Sequence, residues 1–139
     1  RTGAASVMVA NRTRAAAEVA AALAGPAGHV VEDAAEAVGR ADIVINATSV
    51  GMGIDADTGG SMPLDPRHLG PQHVVADIVY HPRDTVLLRA ARAAGARTVD
   101  GLGMLVHQAA LQQQLWHGAL PDVACMVAAA ERELAARRQ

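Results

Sequence analysis

Polar or small residues follow each apolar run that the sequence predicts to be a β-strand. Ligands of open parallel sheets bind beyond the carboxyl ends of the strands, so these are the positions where chemistry is expected. The residues concerned are Asn11-Arg12-Thr13, Asn46-Ala47-Thr48-Ser49, Tyr80 and Asp100-Gly101. Most of their side chains can donate or accept hydrogen bonds, and glycine permits close approach of a ligand. Asn, Thr and Gly are also ordinary turn residues, so each position taken alone predicts little.

Arg12 is the cation among these residues. In a dinucleotide-binding fold, an acidic residue after the second strand holds the ribose 2′-hydroxyl of NAD, whereas an Arg nearby accommodates the 2′-phosphate of NADP. Asn11, Arg12 and Thr13 supply a cation and two hydrogen-bonding side chains without a carboxylate. The alternative is a solvated Arg just before a helix whose N-cap is Thr13. Spacing alone does not separate these two interpretations.

Gln108 lies on an apolar stripe of residues 100–118, a stretch that predicts a helix of roughly four turns. Met104, Leu111 and Leu115 share the stripe at helical spacing, so this face is predicted to pack against protein. A buried amide without a hydrogen bond costs about 1–3 kcal/mol. Gln108 therefore either satisfies a neighbouring backbone group, the commoner case, or points into a cleft and binds a polar ligand.

The sequence offers little support for other chemistries. It contains no Lys, so this chain cannot supply a P-loop or Schiff-base lysine. The near match to G-x-G-x-x-G that begins at Gly101 has Val106 in place of the third Gly, so we do not interpret it as a dinucleotide-binding loop. The His residues show no metal-ligand spacing. Asp77 and Asp100 could act as general bases, but such carboxylates more often orient loop backbone, so no catalytic residue is assigned.

Composition narrows the class of protein further. The 139 residues are enough for one domain, and the net charge of −2 with almost no aromatic residues argues against nucleic-acid binding. No apolar run approaches the length of about 18 residues that suggests a membrane span, and no signal peptide is visible. Cys125 is the single cysteine, which fits the cytoplasm. Because the chain begins at Arg1 without Met, we expect a processed or cut piece of a longer protein.

Strands and helices are predicted to alternate along the chain. Strands are predicted at residues 6–10, 29–31, 42–46, 74–79 and 97–99. Helices are predicted at residues 14–24, 33–38 and 85–94, then after residue 100 and after residue 121, and a long loop spans residues 47–64. The alternation predicts an α/β fold, a Rossmann-like parallel sheet with helices on both faces.

Several segments also occur together in a recognisable order and spacing. They are Asn11-Arg12-Thr13, INATSVGM at residues 45–52, DIVYHPRDTVLL at 77–88 and DGLGMLVHQAALQQQLWHG at 100–118. Together they resemble the C-terminal, NADP-binding part of the shikimate dehydrogenase family. The resemblance implies that residues 1–139 are a partial NADP-binding domain with C-terminal helices. The first strand and Gly-rich loop of the fold, and an N-terminal substrate domain, would lie outside this chain.

The resemblance also implies roles for individual residues. Asn11, Arg12 and Thr13 would hold the adenosine 2′-phosphate of NADP. The residues implied to line the path from adenine-ribose to nicotinamide are Thr48, Ser49, Ile78, Gly101 and Met104. Tyr80 and Gln108 would reach shikimate, which changes our interpretation of Gln108 from a core amide to a substrate ligand. Some members carry a second Arg five residues after the Asn; here that residue is Ala16, and Arg14 could replace it.

The implied activity is reversible hydride transfer between NADPH and 3-dehydroshikimate, in the biosynthesis of chorismate and aromatic amino acids. The family's catalytic Lys and its partner Asp belong to the N-terminal domain, so residues 1–139 alone are expected to be inactive. A quinate/shikimate dehydrogenase that uses NAD is a rival, disfavoured by Arg12. A non-catalytic module that binds a nucleotide or a partner chain is another. A homodimer is left open.

Overall fold

The computed structural model describes residues 3–53 and 62–136, which divide between two compact units that meet in sequence at Ala41 and Asp42. In the first unit, β1 (Val7–Val9) pairs in parallel with β2 (Gly28–Val30). Helix α1 (Arg14–Ala22) and a 3-10 turn connect the two strands, and α2 (Ala34–Gly39) follows β2. This is the compact βαβ arrangement that parallel strands require.

The second unit contains a parallel sheet in the order β3-β4-β5. Its strands are β3 (Ile43–Asn46), β4 (Val74–Asp77) and β5 (Arg97–Val99). Its helices are α3 (Val86–Ala93), α4 (Gly101–His117) and α5 (Val123–Ala136). No helix in the described ranges is long and apolar enough to cross a membrane.

The strand pairings are those of a doubly wound fold, and the predicted Rossmann-like parallel architecture is confirmed. The common strand order is 3-2-1-4-5-6, in which the first strand separates the second from the fourth. If β1 to β5 are numbered as strands 2 to 6 of that order, strands 2 and 3 are neighbours in one set, and strands 4, 5 and 6 are neighbours in another. Those are the observed sheets. The described strands therefore form two parallel sheets, one in each unit.

Local interactions explain where the elements of the first unit begin and pack. Asp33 caps α2, because its carboxylate accepts hydrogen bonds from the backbone N–H of Ala35 at 2.8 Å and Glu36 at 3.2 Å. Thr13 occupies the N-cap position of α1, but its side chain makes no capping hydrogen bond. A Cβ on Gly28 would lie 1.9 Å from the carbonyl oxygen of Ala21, so α1 and β2 can approach this closely only at a glycine.

Fully buried apolar residues of β4, of the segment just after it and of α3 form the centre of the second unit. Val75 and Val79 are completely inaccessible to solvent, and Leu87 and Leu88 are 1% exposed. Thr85 caps α3, since its hydroxyl accepts a hydrogen bond from the backbone N–H of Leu88 at 3.2 Å. Burying aliphatic side chains of this size stabilises the fold by about 1.5–3 kcal/mol each.

The face of α4 that packs inward is not the predicted one. The buried side chains are Leu102, Val106 and Ala110. Leu111 is 61% exposed and Leu115 is 82% exposed, and Met104 is also exposed. The prediction was wrong because α4 carries apolar residues on opposite faces, so helical periodicity fits either face equally well.

Strand β3 also differs from its prediction. Val44 and Asn46 are buried, whereas Ile43 is 60% and Ile45 is 61% exposed. In the part of the chain that the structure describes, the prediction that this strand is buried on both faces is therefore wrong. A continuous apolar run does not reveal whether both faces are covered. Of the predicted long loop, residues 54–61 lie outside the described residues.

Candidate functional site

The carboxyl ends of β3 and β4 meet in a buried polar pair. Asn46 and Asp77 end their strands in register, 31 residues apart in sequence, and are 3% and 2% exposed. Asn46 Nδ2 donates a hydrogen bond to Asp77 Oδ1 at 3.0 Å. Sequence reasoning placed Asn46 at a strand end but assigned it no role. The signal that could have found it is the parallel register, which brings both strand ends to one edge of the sheet.

Asn46 also holds the loop that follows β3. Its Oδ1 accepts hydrogen bonds from the backbone N–H of Thr48 at 3.0 Å and from the Thr48 hydroxyl at 2.7 Å. The Thr48 oxygen in turn accepts from the backbone N–H of Val50 at 3.1 Å. The proton of the Thr48 hydroxyl is thus used within the loop, while Ser49 beside it is exposed.

Asp77 orients the backbone after β4 and the start of α3. Its Oδ1 accepts from the N–H of Val79 at 3.0 Å, and its Oδ2 accepts from the Thr85 hydroxyl at 2.8 Å. The loop-orienting interpretation of this carboxylate, rather than the general base, is the one its contacts support. Ile78 and Tyr80 flank Val79 and are both half-buried.

The loops after β3 and β4 are also joined through their backbones. The N–H of Gly53 donates to the carbonyl oxygen of His81 at 2.9 Å. Gly51 and Gly53 have φ angles of +92° and +67°, a backbone conformation that residues other than glycine rarely adopt. The glycines of this loop are therefore needed for the turn that carries it to His81.

The start of α4 lies against the residues that follow β4. A Cβ on Gly101 would lie 2.4 Å from the carbonyl oxygen of Ile78 and 2.5 Å from that of Val79. This close approach explains a glycine here whether or not a cofactor passes nearby. Asp100 caps the helix, because its Oδ1 accepts from the N–H of Leu102 at 3.1 Å.

Arg83 connects the start of α4 to α5. Its Nε donates to Asp100 Oδ2 at 2.6 Å, and its Nη1 donates to Glu131 at 3.2 Å. The hydrogen bond to Asp100 and, to a smaller extent, the contact with Glu131 raise the pKa of Arg83 above its ordinary value. Asp100 therefore helps to fix Arg83 and the first turn of α4. Sequence reasoning assigned no role to Arg83.

Farther along α4, the predicted substrate ligand Gln108 is half-buried. Its Nε2 donates to the carbonyl oxygen of Leu105 at 3.0 Å, within its own helix. The amide is therefore satisfied locally, as the packing interpretation requires. Its Oε1 can still accept a hydrogen bond, and its second N–H can still donate one. Met104, one turn earlier, is 45% exposed.

The residues predicted to hold the 2′-phosphate of NADP lie in the first unit. Asn11 Nδ2 donates to the carbonyl oxygen of Thr13 at 3.1 Å, which shapes the entry to α1. Arg12 is exposed, and the described ranges show no ion pair for it. Arg14, in contrast, pairs with Glu18 at 3.0 Å and with Glu32 at 2.6 Å. The hydrogen bond to Glu18 is the largest of the effects that raise the pKa of Arg14.

Comparison with known proteins gives a consistent result. Residues 101–131 match the model of the shikimate 5′-dehydrogenase C-terminal domain. The NADP(+) shikimate dehydrogenase of Methylocella silvestris is 48% identical over 122 residues, which are 85% of this chain and 41% of that protein. The chain therefore spans less than half the length of this relative.

Solved structures extend the similarity to the fold. Thermus thermophilus shikimate 5-dehydrogenase in complex with NADP(H) and shikimate has a TM-score of 0.73 and 38% identity, over 91% of this chain and 45% of its own. Quinate dehydrogenase from Corynebacterium glutamicum in complex with NAD has a TM-score of 0.79 and 34% identity, over 90% of this chain and 45% of its own. The chain belongs to the shikimate dehydrogenase family, in the region of its C-terminal domain.

Proposed function

We propose that residues 1–139 form the NADP-binding part of a longer shikimate dehydrogenase. The intact protein would transfer a hydride reversibly between NADPH and 3-dehydroshikimate. The observation that carries the proposal is the 48% identity to the NADP(+) shikimate dehydrogenase of Methylocella silvestris over 85% of the chain. When bound, the cofactor supplies the hydride, and the protein binds and orients both reactants.

The residues after β1 fit the 2′-phosphate of NADP. Arg12 is an exposed cation, and neither Asn11 nor Thr13 beside it is acidic. A guanidinium without a carboxylate partner can donate two parallel hydrogen bonds to a phosphate in bidentate geometry. Arg14 already contacts two carboxylates, so we assign the phosphate contact to Arg12.

Loops at the carboxyl edge of the second sheet carry the other residues that we assign to cofactor binding. Ser49, Ile78 and Met104 each follow a different strand of that sheet. Ser49 and Met104 are exposed, and Ile78 is half-buried. We assign Thr48 to the same path through its backbone and its support of the loop, because its hydroxyl proton is already donated to Asn46. Gly101 would act by allowing α4 to begin against Ile78.

Tyr80 and Gln108 remain the proposed contacts to shikimate. Shikimate carries hydroxyl groups and a carboxylate, so a phenol and an amide are suitable partners. The hydrogen bond from Gln108 to Leu105 leaves the acceptor oxygen and one donor of the amide for a ligand. The fold positions Tyr80 through Val79, whose N–H is held by Asp77.

The proposal includes a second domain that carries the catalytic Lys, since this chain contains no Lys. The outward face of α4 supports such a partner, because Met104, Leu111 and Leu115 leave an apolar stripe exposed there. A cytoplasmic location and a homodimeric state remain predictions.

Substitution of Arg12 tests the cofactor proposal, with Arg14 as a matched control in the same segment. Arg12→Ala in the intact protein should weaken NADP by about 1.5–3 kcal/mol, the usual contribution of a hydrogen bond to a charged group. NAD lacks the phosphate, so its KM should hold. Arg14→Ala should change both cofactors little. Equal losses for NADP and NAD in Arg12→Ala, or a larger NADP loss in Arg14→Ala, would contradict the assignment.

An NAD-dependent quinate/shikimate dehydrogenase is the second candidate. It is favoured by the high structural similarity to the quinate dehydrogenase in complex with NAD. Initial rates with shikimate and quinate, each with NADP and NAD, separate the two. A preference for quinate with NAD would support this second candidate.

A further inference from the structure

We propose that Asp77 is a positioning residue that sets the geometry of both loops at the proposed cofactor site. The carboxylate is 2% exposed and accepts hydrogen bonds from Asn46, Val79 and Thr85. All of these donors are neutral. Burying a carboxylate with no cation among these partners is costly, and its oxygens are directed at groups that shape the loops after β3 and β4.

The first step of the argument concerns the orientation of the Asn46 amide. An ionised carboxylate accepts hydrogen bonds and cannot donate them. Asp77 therefore requires the NH₂ group of Asn46 to face it, at 3.0 Å. This leaves the amide oxygen facing Thr48, where it accepts both the backbone N–H and the hydroxyl. Without Asp77, this orientation of the amide would rest only on its weaker contacts with the backbone of Thr48 and Val50.

The second step follows the same contacts into the loop after β3. Because the Thr48 hydroxyl donates to Asn46, its oxygen faces the N–H of Val50 and accepts from it at 3.1 Å. Asn46 Nδ2 also donates to the carbonyl oxygen of Val50 at 3.3 Å. The position of Ser49, between these fixed residues, thus depends on Asp77.

The third step concerns the other two contacts of the carboxylate. Through Val79, Asp77 turns the backbone between Ile78 and Tyr80. Through Thr85, it reaches the start of α3, where the hydroxyl donates to Asp77 and accepts from the N–H of Leu88. One buried group therefore links two ligand-facing loops to a helix that has no proposed ligand contact.

These separate contacts provide a test that distinguishes positioning from general stability. Asp77→Ala removes the support of both loops, whereas Thr85→Val removes only the contact to α3. In Asp77→Asn, the new amide can keep its oxygen toward Asn46 and Val79 and donate its NH₂ to Thr85. We therefore expect the conservative variant to rescue the loops.

The experiment measures kinetics and amide hydrogen exchange on the intact protein. Asp77→Ala should raise the KM for NADP by about tenfold, a 1.4 kcal/mol loss of binding, with a smaller fall in kcat. The backbone amides of Thr48, Val50 and Val79 should exchange faster. Thr85→Val should speed exchange at Leu88 and leave the KM for NADP near that of the wild type, and Asp77→Asn should resemble the wild type in both measurements.

The outcomes separate this inference from the proposed function, on which its kinetic part rests. Unchanged exchange at Thr48 and Val50 in Asp77→Ala, or an equal rise in KM in Thr85→Val, would overturn the positioning role. If the wild-type protein shows no NADP-dependent activity but exchange responds as expected, the proposed function fails and the positioning of the loops stands. If Asp77→Ala does not fold, Asn46→Ala breaks the same link from the other side and should raise the KM for NADP.

Discussion

Gly101 and Gly103 provide the sharpest test of the packing at the start of α4. Both glycines lie in the first turn of that helix, two residues apart. A Cβ on Gly101 would meet the carbonyl oxygens of Ile78 and Val79 at 2.4 and 2.5 Å, whereas a Cβ on Gly103 would meet nothing within 4 Å. The two Gly→Ala substitutions therefore add the same methyl group to one crowded and one open position of the same helix.

The magnitude follows from the atoms involved. The atoms facing Gly101 belong to the backbone, so they cannot rotate away as a side chain could. Ordinary contact begins near 3.4 Å, so the start of α4 would have to retreat by about 1 Å. We expect Gly101→Ala to lower the free energy of unfolding by about 1–3 kcal/mol, the usual cost of overpacking. Gly103→Ala should raise it by up to about 1 kcal/mol, because Ala is the better helix former.

Urea unfolding of the intact protein, followed by far-UV circular dichroism, measures both effects. The midpoint should fall for Gly101→Ala and stay constant or rise for Gly103→Ala, with similar slopes. If the two variants shift the midpoint in the same direction by similar amounts, helix propensity dominates. The inference that α4 begins in close contact with the residues after β4 would then be refuted.

Further predictions concern the substrate contact, the open face of α4, an ion pair and the chain in isolation. Gln108→Ala should weaken shikimate binding by about 0.5–1.5 kcal/mol, measured as a higher KM, and leave the melting temperature nearly unchanged. A lower melting temperature with an unchanged KM would identify a packing residue. Leu115→Gln should destabilise the intact protein by about 1–3 kcal/mol if a second domain covers α4, and by less than about 0.5 kcal/mol if the face is open to solvent, as thermal melts would reveal. The hydrogen bond from Arg67 lowers the pKa of Asp65 to about 2. This pair therefore contributes stability above the ordinary pKa of about 3.8 that is lost as the pH falls toward 2, and an NMR titration that gave an ordinary value would refute it. Residues 1–139 alone should not oxidise shikimate with NADP; turnover at an ordinary rate would show that no second domain is needed.

The order of strands and helices could be predicted because it depends on local patterns. Apolar runs gave the strands of both sheets, although β4 ends at Asp77 rather than at Val79 and β1 is shorter than predicted. Two helices were predicted to begin at Asp33 and Thr85, and both residues act as caps in the structure, whereas Thr13, the predicted cap of α1, makes no side-chain capping hydrogen bond. Each of these features involves residues a few positions apart, which a single sequence displays directly.

Features that depend on distant residues could not be predicted in the same way. Asn46 and Asp77 meet because two strands pair in a particular register, 31 residues apart. Gly101 is needed because α4 starts against the backbone of Ile78, which no local pattern reveals. The buried face of α4 was predicted wrongly because periodicity alone could not choose between Leu111 and Val106 as the inward side.

The direct test of the proposed function is the formation of NADPH by the intact protein from shikimate and NADP, followed by absorbance at the nicotinamide band. We predict that shikimate with NADP has the highest kcat/KM among the combinations of shikimate or quinate with NADP or NAD. Arg12→Ala should reduce that preference for NADP. An intact, folded protein that binds NADP no better than NAD and forms no NADPH from shikimate would contradict the account.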